Sequence, residues 1–337
     1  MTKYSILDLV RIRDNGSAKT SLNNARDLAR HAEQWGYTRF WMAEHHNMPG
    51  IASAATSVAI GHVAEGTETI RVGAGGIMLP NHSPLVIAEQ FGTLDALFPG
   101  RIDLGLGRAP GTDQLTLRAL RRHPGSADSF PQDVLELQAL LGPVQPGQRI
   151  QAVPGANSHV PLWILGSSTF GAAMAGEFGL PYAFASHFAP DYLYTALETY
   201  RSRFKLSEQQ ETPYCMMGIN IIVAPTDEEA EFLASTQRMS VTNLLRGDRG
   251  LSKPPIADID TYWSVDERVQ AQRMLAMSVV GSPDTVRTKL EGILAQTRAN
   301  ELMIVSDVYD HALRLRSYEY IAQVMLALNS EKTSHVV

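Results

Sequence analysis

Short apolar runs alternate with segments of helical period along nearly the whole chain. The first run is Tyr4 to Leu9. An amphipathic stretch from Ser21 to Trp35 follows, in which Leu22, Ala25, Leu28, Ala29 and Ala32 recur at three- and four-residue steps and share one face, before Gly36 stops it. Arg39 to Ala43 reads as a second strand with a helix over about 51–64, and Ile70 into Gly73 as a third with a helix over 84–98. That helix opens on Ser83-Pro84, where the fixed φ of proline suits a first turn, and closes before Pro99-Gly100. The same rhythm predicts strands over 102–106, 162–165, 182–185, 216–223 and 302–305. Helices are expected over 128–141, 169–178, 191–204, from Thr226, over 283–296 and over 312–328.

Eight strands each trailed by a helix, several of them continuously apolar, suit a parallel sheet covered on its outer face. The pattern predicts an α/β chain folded as a single (β/α)₈ TIM barrel over residues 1–330, with a C-terminal tail over 331–337. An open doubly wound sheet is the alternative. Two stretches break the rhythm, one before strand five and one after strand seven. Gly142 to Val160 is rich in Pro, Gly and Gln and reads as a surface loop or short ribbon. Arg246 to Gln270 carries Pro254-Pro255, Tyr262 and Trp263 without a period, and reads as a lid over the catalytic end or as a decorative insertion.

With 337 residues, 44% of them hydrophobic and 19% charged, the chain has enough apolar surface for a large core. A formal charge of −6 argues against a partner rich in phosphate, so no nucleic acid is expected. Cys215 is the only cysteine, which excludes an internal disulfide and a thiolate metal cluster. Asp8 arrives too early for a secretory leader, and no apolar run is long enough to cross a bilayer. A cytoplasmic protein with no membrane association is expected.

Functional groups of such a barrel gather at the carboxyl ends of its strands. The second exit reads Ala43-Glu44-His45-His46-Asn47, an acid and two imidazoles that suit proton transfer near neutrality, a hydrated turn, or, less well, a metal. Strand alternation means that Glu44, His45 and His46 cannot all face the lumen, and no further ligand spacing accompanies them. The third exit, Val72-Gly73-Ala74-Gly75-Gly76-Ile77-Met78-Leu79-Pro80, allows a bulge or close backbone approach of a flat ligand. It is not a dinucleotide fingerprint, since an extended segment follows it. At the fourth, Gly107-Arg108-Ala109-Pro110-Gly111 offers a lone cation. At the fifth, Gly166-Ser167-Ser168-Thr169 runs into a helix, so free N–H groups, hydroxyls and a glycine make a phosphate cradle or a simple N-cap. The sixth, Ala185-Ser186-His187-Phe188, sets an imidazole beside an aromatic ring. Asp8 and Asp307 leave the first and last strands.

These exits together resemble the bacterial-luciferase-like flavin-dependent monooxygenase family from Tyr4 to about Leu328. The matching segments are Glu44-His45-His46, Gly75 to Pro84, Phe98 to Arg108, and Gly166 to Pro181, in the family's order. The resemblance implies a catalytic base at His45 with Glu44 beside it, and a non-prolyl cis peptide at Gly75-Gly76 under a flavin ring. It implies a flavin phosphate held by Arg108, Ser167, Ser168 and the backbone near Phe170 and Gly171, with Gly166 at the turn. Leu7, Ile77, Met78, His82 and His187 are then expected to line a substrate pocket, and no metal is expected. The implied activity is oxidation of a small organic substrate by O₂ and reduced FMN, the latter supplied by a separate NAD(P)H:flavin reductase, in a homodimer formed through the helices after strands two and three. Gly171 departs from the family's habit of a hydroxyl residue there. A deazaflavin-dependent dehydrogenase and a flavin-binding protein without turnover are the alternatives.

Overall fold

The computed structural model describes residues 1–109 and 113–334. Eight parallel strands close a ring. β1 (Lys3–Asp8), β2 (Arg39–Met42), β3 (Arg71–Met78), β4 (Ile102–Gly107), β5 (Leu162–Gly166), β6 (Tyr182–Phe184) and β7 (Cys215–Val223) follow one another. A ninth strand in the sheet, β8 (Ser278–Gly281), comes before β9 (Glu301–Val305), which pairs with both β7 and β1 and completes the barrel. The (β/α)₈ reading is therefore right, and the open sheet is excluded. β8 stands outside the ring: it pairs with Asn220–Val223, where β7 runs on past the barrel's carboxyl end.

Helices α1 (Ala18–Gln34), α2 (Thr56–Ala64), α3 (Pro84–Leu97), α4 (Gln114–Ala119), α5 (Phe130–Leu141), α6 (Thr169–Phe178), α7 (Leu193–Arg203), α8 (Asp227–Leu245), α9 (Val265–Met274), α10 (Pro283–Thr297) and α11 (His311–Ser334) complete the chain. In α1 the Ser17 hydroxyl accepts from the Thr20 N–H, and Ala25, Leu28, Ala29 and Ala32 are buried, the face that the spacing predicts. The second helix starts at Thr56 rather than near residue 51, because 51–55 first turn back along the loop after β1. α11 runs through the segment expected as a tail, to Ser334. Residues 142–160 form neither helix nor strand, as their Pro and Gly content suggests.

Two apolar layers follow from strand alternation. Outward residues such as Phe40, Val72, Leu104, Ile164, Ile219 and Ile304 pack against the helices in the main core. Inward residues Leu7, Trp41, Ala43, Trp163, Ala183, Met216, Met303 and Val305 fill the lumen. Below them lies a buried ionic floor. The Arg39 guanidinium donates to Asp103 at 2.7 Å and to Glu301 at 2.8 Å; Arg71 also reaches Asp103, and the Tyr214 hydroxyl reaches Glu301. The lumen is thus packed below and opens only at the carboxyl end.

Candidate active site

At the exit of β2, alternation divides the three polar residues. Trp41 and Ala43 face the lumen, so His45 follows them there, while Glu44 and His46 turn toward β3. Glu44, 1% exposed, accepts from four donors: His46 Nε2 at 2.6 Å, His82 Nε2 at 2.9 Å, the Met78 N–H at 2.9 Å and the Asn81 amide at 3.3 Å. Burial alone would raise the carboxyl pKa. The bonds from His46 and His82 overcome that and bring it down to about 2, and the same bond raises His46. The carboxylate and the two imidazole nitrogens lie within 4.8 Å of one another, a spacing that a metal could use. Here the imidazoles and two further donors already satisfy the carboxylate, and the group is a charge-assisted clamp between the β2 and β3 exits. Glu44 therefore holds His46 and His82, not His45 as its place in the chain suggests.

His45 stands opposite His187 of the β6 exit. Burial first, then the Arg11 guanidinium, brings His45 down to about 4; burial first, then His45, does the same for His187. Both imidazoles are neutral at pH 7. The His187 ring lies where a side chain at residue 218 of β7 would stand, 2.2 Å from the position of a Cβ, so only glycine fits there. The backbone around it is pinned: the Ser186 hydroxyl donates to the Gly218 carbonyl at 2.5 Å, and the Asn220 amide to the His187 carbonyl at 2.6 Å.

On β3 the Gly75-Gly76 peptide is cis, as the resemblance implies, and the register against β4 slips by one residue between Gly75 and Ile77. A Cβ on Gly75 would sit 2.9 Å from the Trp41 ring, and one on Gly76 would sit 2.6 Å from the Gly105 carbonyl. The slip overturns one expectation. Ile77 lands beside Leu106 and is buried in the outer core, so it does not line the pocket; Met78 takes the inward place, paired with Gly107. Leu7 lies in the lumen as expected, whereas His82, expected in the pocket, is engaged on Glu44.

Arg108 and the start of α6 come together. The Arg108 guanidinium stacks on the Phe170 ring at 4.3 Å and makes no ion pair among the described residues. Ser168 occupies the N-cap in extended conformation, yet its side chain makes no capping bond, and Ser168, Thr169 and Phe170 are exposed. The first turn thus presents free N–H groups beside an uncompensated cation, which is what a phosphate requires. Ser167 is half-buried. The Tyr182 hydroxyl fixes the loop by donating to the Ser168 carbonyl at 3.1 Å, and Gly166 packs close over Gly171. Pro110 and Gly111 of the fourth exit lie outside the described residues.

The long insertion is ordered rather than periodless. Ser264 and Glu267 form a capping box that starts α9, a Ser-x-x-Glu signal legible in the chain but not used. Residues around 249–252 bridge to the loops after three strands: Ser252 exchanges backbone bonds with Ile12 and Asp14, Gly50 donates to the Arg249 carbonyl, and Arg249 lies 3.7 Å from Asp113. The strap spans the side of the barrel mouth that Arg11 and His45 occupy. Asn220, Gly218 and Gln237 also escaped sequence reading, since nothing local marks them.

The chain matches the family model described as luciferase-like monooxygenase over residues 2–301. A relative named luciferase-like monooxygenase from Escherichia coli (strain K12) is 52% identical over 322 residues, covering 95% of this chain and 96% of that one. The crystal structure of apo-MsnO8 superposes with a TM-score of 0.90 at 35% identity, over 96% of this chain and 98% of that one. Two structures share the fold at lower identity. One is the FMN complex of the oxygenating constituent of 3,6-diketocamphane monooxygenase from Pseudomonas putida, with a TM-score of 0.71 and 18% identity over 95% of this chain and 96% of that one. The other is an F420-dependent secondary alcohol dehydrogenase, with a TM-score of 0.70 and 14% identity over 96% of this chain and 98% of that one. With its closed barrel, its ordered strand exits and this full-length similarity, the chain belongs to the luciferase-like monooxygenase family.

Proposed function

We propose that the protein is a flavin-dependent monooxygenase that uses reduced FMN and O₂ to oxidise a small organic substrate. The observation that carries this reading is the joint placement of an uncapped helix start, an Arg108 without an ion pair among the described residues and a side-chain-free Gly75-Gly76 shelf around one barrel mouth. FMN needs these three things: a phosphate anchor, a cation and a flat surface close to backbone. Ser167, Ser168 and the N–H groups near Phe170 and Gly171 would hold the phosphate with Arg108, and Gly75-Gly76 would carry the ring. Reduced flavin supplies the electrons that activate O₂. The chain supplies a neutral His45 able to take a proton at the mouth, and Leu7, Trp163, Leu165 and Met78 limit water there.

Accessory readings follow from the same proposal. A separate NAD(P)H:flavin reductase delivers the reduced cofactor, since the described exits hold no dinucleotide fingerprint. The chain acts in the cytoplasm; no described helix is long and apolar enough to cross a membrane. A homodimer forms through α2 and α3, which expose Val58 (73%) and Leu97 (65%) on helices already apolar on their inner faces.

The test is turnover under ¹⁸O₂ with reduced FMN and a panel of small organic compounds, followed by mass spectrometry of the products. Incorporation of one labelled oxygen is expected. Binding and reduction of a deazaflavin with no oxygen uptake would instead place the chain with the F420-dependent fold neighbours.

A further inference from the structure

Two imidazoles, His45 and His187, stand at the mouth, both held below the usual histidine range by burial. In both His45 and His187, Nδ1 is buried without a hydrogen-bond partner among the described residues. Their surroundings nevertheless differ. His187 Nδ1 is pressed onto Gly218, over the side where a Cβ would stand, and only a Cα–H lies there. A buried N–H with no acceptor costs more than a bare lone pair against C–H. His187 therefore keeps its proton on Nε2.

We infer that His187 is a hydrogen-bond donor that selects, through Nε2–H, an organic substrate carrying an uncharged oxygen acceptor such as a carbonyl. The inference rests on the proposed function only in taking the mouth as the place of the second substrate. Three features support it. The groups around His187 are His45, Gly218, the Phe188 ring with its centroid 4.8 Å from that of the imidazole, and the Asn220 amide on the His187 carbonyl; none is a carboxylate that would make the ring cationic. The nearby Arg11 is already paired with Asp307 at 2.8 Å, which disfavours capture of an anion. The ring is also held from behind by a relay: Gln237 Nε2 donates to Asn220 Oδ1 at 2.8 Å, and Asn220 donates to the His187 carbonyl and to Ser278 Oγ at 3.2 Å. Gln237 is buried on α8, so that helix and β8 brace the donor without touching substrate.

Long-range ¹⁵N–¹H NMR of histidine-labelled protein reads the tautomers with no cofactor present. The expected form at pH 7 is Nε2–H for His187, with its signals assigned by their loss in His187→Leu. An imidazolium or an Nδ1–H form of His187 overturns the inference and leaves the flavin reading intact. Acetophenone and ethylbenzene, nearly equal in shape, then probe the selection in FMN-loaded protein by saturation-transfer NMR. Loss of one neutral hydrogen bond is expected to weaken acetophenone about fivefold in His187→Leu, with His187→Gln retaining most of it and ethylbenzene unchanged. Equal effects on both compounds, or no acetophenone binding to the wild type, refute the proposed selection. Failure of FMN to load refutes the flavin reading instead.

Discussion

Replacing Glu44 with Gln isolates the clamp between the β2 and β3 exits. The wild-type carboxylate is 1% exposed and satisfied by two imidazoles, a backbone N–H and an amide. Its pKa falls from 4.5 to about 2 on folding. The drop is worth about 3 kcal/mol of stability, at roughly 1.4 kcal/mol per unit. The raised His46 is the other side of the same contact, so it adds nothing further. A glutamine keeps the shape but loses the charge and turns an NH₂ toward donors. Because the folded pKa is depressed, the stabilisation is fully present above about pH 4.5 and is lost as pH falls toward 2. Urea unfolding at pH 7 is expected to show Glu44→Gln less stable by about 3 kcal/mol, with the gap to wild type closing only below about pH 4.5. A variant within about 0.5 kcal/mol of wild type at pH 7 would refute the clamp.

Arg39→Met removes the cation of the lumen floor. Asp103 keeps Arg71 and Glu301 keeps Tyr214, so the expected loss is about 3 kcal/mol, at the lower end for a broken buried pair, read from the urea midpoint. No change there would mean that the floor is not desolvated. The depressed imidazole of His45 has a linkage of the same sign as Glu44, in a higher pH window. Its pKa falls from 6.5 to about 4, so the unfolded chain takes the proton first and native stability declines as pH falls from about 6.5 to 4. At pH 5 this amounts to roughly 2 kcal/mol, and His45→Leu should flatten the wild-type decline between pH 7 and 5 by that amount. An unchanged slope would contradict a buried, neutral His45.

Local pattern carried the barrel and the strand exits, but not the contacts between them. β5 and β6 are apolar runs, and Pro84 and Pro99-Gly100 punctuate the helix after β3 in the way their chemistry requires. Glu44, His45 and Arg108 were visible because polar residues at a strand's end have few structural reasons to be there. The partner of Glu44, His82, lies 38 residues away, and no spacing rule links them. Ile77 was misplaced because the resemblance put both Ile77 and its neighbour Met78 in the pocket, whereas strand alternation past the register slip at Gly75-Gly76 lets only one of the two face inward. The floor charges Arg39, Asp103 and Glu301 belong to three different strands, so their meeting depends on barrel closure. β8, only four residues long, lies between the insertion over 246–270 and the helix that opens at Pro283, too short for a periodic signal of its own.

On the proposed function, the strand tips form a bed for a flavin with its phosphate at the start of α6. Binding of FMN and of riboflavin, followed by quenching of flavin fluorescence in the wild type and in Arg108→Ala, separates the phosphate site from the ring site. FMN is expected to bind the wild type at least about tenfold more tightly than riboflavin, consistent with one or more charge-assisted bonds to phosphate, and the substitution should remove most of that preference while leaving riboflavin affinity unchanged. Equal affinities for the two flavins in the wild type would contradict a phosphate site at Arg108 and Ser168.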